Sequence, residues 1–196
     1  MKRRGMLLVV SAPSGAGKTT IVKEILRAYP TFGFSVSATT REKRPGEVDG
    51  KDYFFLSRSE FERKIAAGDL VEYEEIYSNY YGTLKIEVEN ALSNGRDIVF
   101  DVDVNGGLSI KAKFPEAILV FIKPPSIEIL RRRLKGRGSE TDAQIEKRMA
   151  RVEMELEKGE GFDYIIINDE LKRAVSEVFG IINKKCKELS SGTETD

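Results

Sequence analysis

A doubly wound α/β fold, a parallel five-stranded sheet flanked by helices, is what this sequence predicts. Short β-branched runs alternate with segments of helical period, the first run passes into a glycine-rich turn and a helix, and two stretches break the alternation. The runs at residues 6–11, 34–37, 98–102, 118–122 and 164–168 are almost wholly apolar, as expected for strands of a parallel sheet covered on both faces. Between them, Ile21, Val22, Ile25 and Leu26 form a helical stripe ended by Tyr29-Pro30. Val88, Ala91 and Leu92 form a second, stopped by Gly95. Ile145, Met149, Val152 and Leu156 form a third, opened by a capping box from Thr141 to Gln144 and closed by Gly159. Val175, Phe179, Ile182, Cys186 and Leu189 form the stripe of a last helix, which makes Cys186 a small core residue. The expected organisation is a core over residues 1–37, 84–123 and 149–190, a small α+β insert over 38–83, an arginine-rich lid over 124–148 and a flexible tail at 191–196. The insert is recognised by short aromatic pieces (Tyr53 to Leu56, Leu70 to Ile76, Tyr80-Tyr81) around one helix at 59–67.

Composition excludes several chemistries. The chain has 196 residues, 32 basic and 32 acidic, with one cysteine and no histidine. No intrachain disulfide or cysteine-based zinc site can form, and no imidazole base or Ser-His-Asp triad is available. The balanced charge gives no footprint for nucleic acid or a membrane surface. The apolar run after Met1-Lys2-Arg3-Arg4-Gly5 is too short for a signal segment, and no run approaches a membrane span. The expectation is a soluble cytoplasmic protein.

The turn after the first run reads Ala12-Pro13-Ser14-Gly15-Ala16-Gly17-Lys18-Thr19-Thr20 and leads straight into the first helix. This is the strand–GxxxxGK[ST]–helix pattern of a P-loop, with Ala12 at the usual first glycine. Gly15 and Gly17 let backbone N–H groups turn toward a phosphate chain, and the helix N-terminus adds partial positive charge. Lys18 would reach the outer phosphates and the Thr19 hydroxyl would hold Mg²⁺. The loop alone does not separate a motor, a switch and a small-molecule kinase.

The insert narrows the choice. It begins Thr39-Thr40-Arg41-Glu42-Lys43-Arg44-Pro45-Gly46-Glu47, followed by Gly50 and Tyr53. This stretch resembles the signature of guanylate kinases, and the resemblance continues through Glu72, Asn79-Tyr80-Tyr81-Gly82, Asp101-Val102-Asp103, Pro124-Pro125-Ser126, Gly136-Arg137-Gly138 and Ile167-Asn168-Asp169, over residues 6 to 185. The resemblance implies the reaction ATP + GMP ⇌ ADP + GDP, dependent on Mg²⁺; a monomer or small homo-oligomer is expected. It implies an ATP site on the P-loop residues, with Arg137 against the adenine and Asn168 at its edge, and Arg133 and Arg148 as lid arginines touching phosphates. It implies a GMP site of Ser37, Arg41, Arg44, Tyr53, Glu72, Tyr81, Thr83, Asp101 and Asp103, with Asp101 also facing the metal through water. Lys18, Arg41, Arg133, Arg137 and Arg148 carry the catalysis in this reading.

The residue types fit those roles. Two guanidinium groups and two tyrosine hydroxyls can grip a monophosphate from several sides. A carboxylate such as Glu72 accepts from guanine N1–H and N2–H together, while a hydroxyl such as Ser37 donates to O6. Adenine would set a lone pair against Glu72. Arg131, Arg132 and Lys135 read as outer-face charge. Thr83 stands where the family commonly has serine, and Asn105 where it has glutamine. The acceptor is already an ionised phosphate oxygen, so no histidine is required.

Overall fold

The computed structural model describes residues 5–135 and 142–191. Strand β1 (Leu7–Ser11) is buried along its whole length because successive side chains enter two different cores. Leu8 and Val10 join one cluster with Ile21, Val22 and Ile25 of helix α1 (Lys18–Ala28). Leu7 and Val9 join the other, with Phe100, Ile110 and Phe121. This two-sided burial explains why the central strands are apolar at every position.

The remaining elements follow in chain order. β2 (Phe32–Phe34), β3 (Ser37–Thr39), β4 (Phe54–Phe55), α2 (Arg58–Ala67), β5 (Leu70–Ile76), β6 (Asn79–Leu84) and α3 (Lys85–Ser93) come first. β7 (Asp97–Asp101), α4 (Val104–Lys113), β8 (Ile118–Lys123), α5 (Ile127–Lys135), α6 (Asp142–Gly159), β9 (Tyr164–Ile167) and α7 (Leu171–Ser191) complete the chain. The main sheet has five strands in the order β2-β7-β1-β8-β9, all parallel. Helices α1, α5 and α7 supply Ile25, Leu130 and Val178 to one face, and α3 and α4 supply Val88 and Ile110 to the other. That is the expected doubly wound architecture.

Three details differ from the sequence expectation. The run at 34–37 is not one strand: Phe34 ends β2 in the main sheet, and Ser37 starts β3 in a second sheet. That second sheet has four strands in the order β4-β3-β6-β5 and takes in Ser37 and Leu84, one residue beyond each expected edge of the insert. It closes over its own small core of Ala38, Phe61, Leu70 and Leu84. Within the stretch expected as a lid, residues 127–135 form α5, anchored by the fully buried Leu130 and Leu134. Thr141 of the expected capping box, Arg137 and residues 192–196 lie outside the described residues. No helix among the described residues is long and apolar enough to cross a membrane.

Candidate active site

The phosphate loop sits at the carboxyl end of β1, where a doubly wound sheet binds ligands. Gly15 and Gly17 have φ values of 92° and 102°, in the left-handed region, and Gly17 is the N-cap of α1. Ala16 N donates to Pro13 O at 3.0 Å, which closes the turn. Ala12, Pro13 and Ala16 are buried, whereas Thr19 and Thr20 are exposed on the first turn of α1. Asn168 braces the loop from below: its side-chain amide is buried and donates to Ala16 O at 2.7 Å. The residue expected at the adenine edge is thus also a strut under the cradle. Arg133 donates to the Asn168 carbonyl at 2.9 Å, and Arg148 donates to the Ser14 hydroxyl.

Lys18 reaches across to the end of β7. Its Nζ lies 2.6 Å from Asp101 Oδ1 and donates to Val102 O at 2.9 Å. Burial by itself would lower its pKa, but the Asp101 and Asp103 charges outweigh that and hold the ammonium above its ordinary value. The Thr19 hydroxyl is 3.5 Å from Asp101 Oδ2. These are two hard oxygen donors, one ionised, next to a phosphate cradle, and that set suits Mg²⁺ bound mainly through phosphates and water.

The acceptor side is organised by strand register. Ser37 pairs with Thr83, and Thr83 with Glu72, so one row across β3, β6 and β5 carries the three residues assigned to guanine. Two residues along, on the same face, Thr39, Tyr81 and Glu74 form the next row. The Thr83 hydroxyl donates to Glu72 Oε1 at 2.6 Å. Glu72 is 7% exposed, and burial pushes its carboxyl up to about 7, with the Thr83 hydrogen bond opposing and the Asp103 and Glu74 charges adding. Arg41 is pre-aimed: Glu47 accepts from both its terminal nitrogens, at 2.8 and 3.1 Å, and its guanidinium lies over the rings of Tyr53 and Phe55. The Tyr53 and Tyr81 rings meet edge to face, 6.1 Å apart. Burial raises the Tyr53 hydroxyl, which also feels both Asp101 and Lys18, so the insert reaches the phosphate loop electrostatically. Arg44 is exposed, and its backbone N–H donates to Glu47 at 2.8 Å.

The guanylate kinase family model matches residues 4–185. The chain belongs to the guanylate kinase family. It is 46% identical over 181 residues to the guanylate kinase of Symbiobacterium thermophilum, covering 92% of this chain and 86% of that one. It is 45% identical over 188 residues to the guanylate kinase of Clostridioides difficile, covering 96% and 92%. The crystal structure of guanylate kinase from Anaplasma phagocytophilum superposes with a TM-score of 0.77 at 29% identity, over 94% of this chain and 87% of that one.

Within this guanylate kinase fold Lys18 and Thr19 lie against Asp101, and Ser37, Thr83 and Glu72 share one row across the insert. Tyr53 and Tyr81 lie beside Arg41, whereas Arg44 is exposed. Glu47 falls within the signature stretch without a role assigned to it, and the sequence motifs mark none of Glu74, Arg151 and Glu155. Glu74 shares strand parity with Glu72, and Arg148, Arg151 and Glu155 recur at spacings of three and four on α6, so their only signal is periodicity. One prediction arises from the loop itself. A Cβ on Gly17 would lie 2.3 Å from Asn168 Nδ2, at a φ that disfavours side chains. Gly17→Ala should cost about 2–3 kcal/mol through backbone strain and loss of the buried Asn168 bond. Urea unfolding reads that loss, with nucleotide affinity falling in parallel.

Proposed function

We propose that this guanylate kinase, which transfers the γ-phosphoryl group of ATP to GMP, divides the work between a rigid cradle and a charged surround. The P-loop amides of residues 12–20 hold the ATP phosphates, and Lys18 leaves Asp101 to meet the transferring group. Arg41, Arg44, Tyr53 and Tyr81 hold the GMP phosphate, and Ser37, Glu72 and Thr83 read guanine with Asp101 and Asp103 beside them. Arg133, Arg137 and Arg148 answer the charge that spreads over the phosphoryl oxygens in the transition state. Thr19, with Asp101 through water, would hold Mg²⁺, which when bound neutralises phosphate charge. The acceptor oxygen is already anionic, so the protein orients two anions and excludes water without moving a proton. The enzyme works in the cytoplasm as a monomer or small homo-oligomer, and its balanced charge favours neither nucleic acid nor membrane as a partner.

The row Ser37–Thr83–Glu72 carries this reading, because it sets two hydroxyls and a buried carboxyl in register across three neighbouring strands. Steady-state turnover with GMP, AMP, CMP and dTMP as acceptors tests it. The expected result is a kcat/KM for GMP about 10⁴-fold above that for AMP. Comparable rates on AMP would overturn it.

A further inference from the structure

One helix touches both halves of the site. On α6, Arg148 donates to Ser14 of the phosphate loop. On either side of it, the same helix meets the β5–β6 hairpin of the insert. The Tyr77 hydroxyl donates to Lys147 O at 3.4 Å, and Arg151 Nη2 donates to Glu74 Oε1 at 3.1 Å. The same Arg151 nitrogen donates to Asp103 Oδ2 at 3.2 Å, and Arg151 Nε lies 3.6 Å from Glu155 Oε1. A single guanidinium therefore joins the insert, the β7–α4 corner of the core and its own helix. The four side chains are between 11% and 21% exposed, so solvent screens these pairs little.

Each tie bears on a residue of the acceptor pocket. Asp103 is the N-cap of α4, and its Oδ1 accepts from Gly106 N at 2.8 Å, so Arg151 takes the other oxygen and leaves that carboxylate no rotation. Glu74 stands two residues from Glu72 on the same face of β5. Asn105 Nδ2 also donates to Glu74 Oε1, at 2.9 Å, and Lys158 donates to Asn105 at 2.5 Å, which ties Glu74 to α4 and the far end of α6 as well. A Cβ on Gly106 would lie 2.9 Å from Glu72 Oε2, so the turn that Asp103 caps is also the wall against which Glu72 rests. Without Arg151, Glu74, Asp103 and Glu155 would lose the guanidinium they share, and Asn105, Gly106 N and the Lys18 charge would be left to balance them.

We infer that Arg151 is a positioning residue of the acceptor site, a three-way clasp that fixes Glu74 and Asp103 and couples the insert to the helix that carries Arg148. This rests on the GMP-site assignment above. It places specificity for the monophosphate partly in a residue that touches no substrate.

The test is a double-mutant cycle on the full chain, preceded by wild-type turnover of GMP. Arg151→Ala should raise KM for GMP about tenfold, while ATP affinity measured by calorimetry without GMP stays within about twofold. Arg151→Lys should restore about half of that loss on a logarithmic scale, since an ammonium supplies the charge without the planar fork. Glu74→Gln should raise KM for GMP several-fold in the wild-type background and scarcely at all in Arg151→Ala. A purely structural residue would lower the melting temperature without separating the two substrates. Should Arg151→Ala fail to fold, Arg151→Lys and Glu74→Gln make the same comparison. Unchanged KM for GMP in these variants, or effects that simply multiply, would overturn the clasp. A wild type that turns over ATP with AMP as readily as with GMP would instead overturn the acceptor assignment.

Discussion

Lys18→Ala should leave a folded protein whose turnover is lower by about 10³-fold or more. The loss follows from where Lys18 sits: it follows the N-cap glycine of α1, at the mouth of the phosphate loop, and is the only loop residue with a positive charge. In the transition state it is one of few cations close enough to the moving oxygens, and removing one such donor typically costs about 10²–10³-fold or more. Stability should change little. The ammonium is held by Asp101 at 2.6 Å and Val102 O at 2.9 Å, and its burial partly cancels that gain. The partners left behind are not sealed in, because the Asp101 side chain is 19% exposed and water can reach it. The loop itself keeps its Ala16–Pro13 bond and its Asn168 strut. A coupled assay for nucleoside diphosphate, beside a urea midpoint, separates the two effects. Full activity in this variant would remove the triphosphate assignment.

The phosphate loop is legible in the amino-acid sequence because its information is local. It is nine consecutive residues, and its chemistry depends on backbone amides that the glycines alone set free. The guanine row is legible only in part. Motif order points to Glu72 and Thr83, but their meeting across two strands is a matter of register, which no contiguous stretch encodes. Helix α4 is hidden by Gly106-Gly107, residues that oppose helix formation, and the reason for them is tertiary. A Cβ at Gly107 would come within 2.8 Å of the Phe162 ring, as one at Gly106 would meet Glu72. The run at 34–37 reads as a single strand because Ser35 and Val36 suit one, yet the chain leaves one sheet there and enters another. Motif order sets Asn168 at a ligand edge. Its contact with Ala16, 152 residues away, is tertiary and leaves no local trace in the chain.

Glu72→Gln should bind GMP about 10²–10³-fold more weakly and yet melt higher than the wild type at pH 8. The binding loss arises because guanine presents two donors side by side. An ionised carboxylate accepts from both, while an amide offers one acceptor and turns a donor against the other. The same change should narrow the preference for GMP over AMP, which steady-state competition would read. The stability gain comes from the cause that tunes the carboxyl. Burial raises Glu72 to about 7, so the folded state holds its proton more tightly than the unfolded chain does. Its contribution is complete below the ordinary carboxylate range and is lost as pH rises through 7, a cost of about 3 kcal/mol at pH 8 that falls to about 1 kcal/mol or less at pH 5. Glutamine carries no such charge and can still accept from Thr83, so the difference in melting temperature should shrink steadily from pH 8 to pH 5. GMP binding runs the other way. Below about pH 7 the wild type must release a proton from Glu72 to receive guanine, and its affinity should fall by up to tenfold per pH unit. The variant should keep only the weaker dependence that comes from the phosphate itself, which titrates near 6. If wild type and variant share one pH profile for GMP binding, Glu72 does not read the base. If they part below pH 7, the buried carboxyl of Glu72 is the group that selects the substrate.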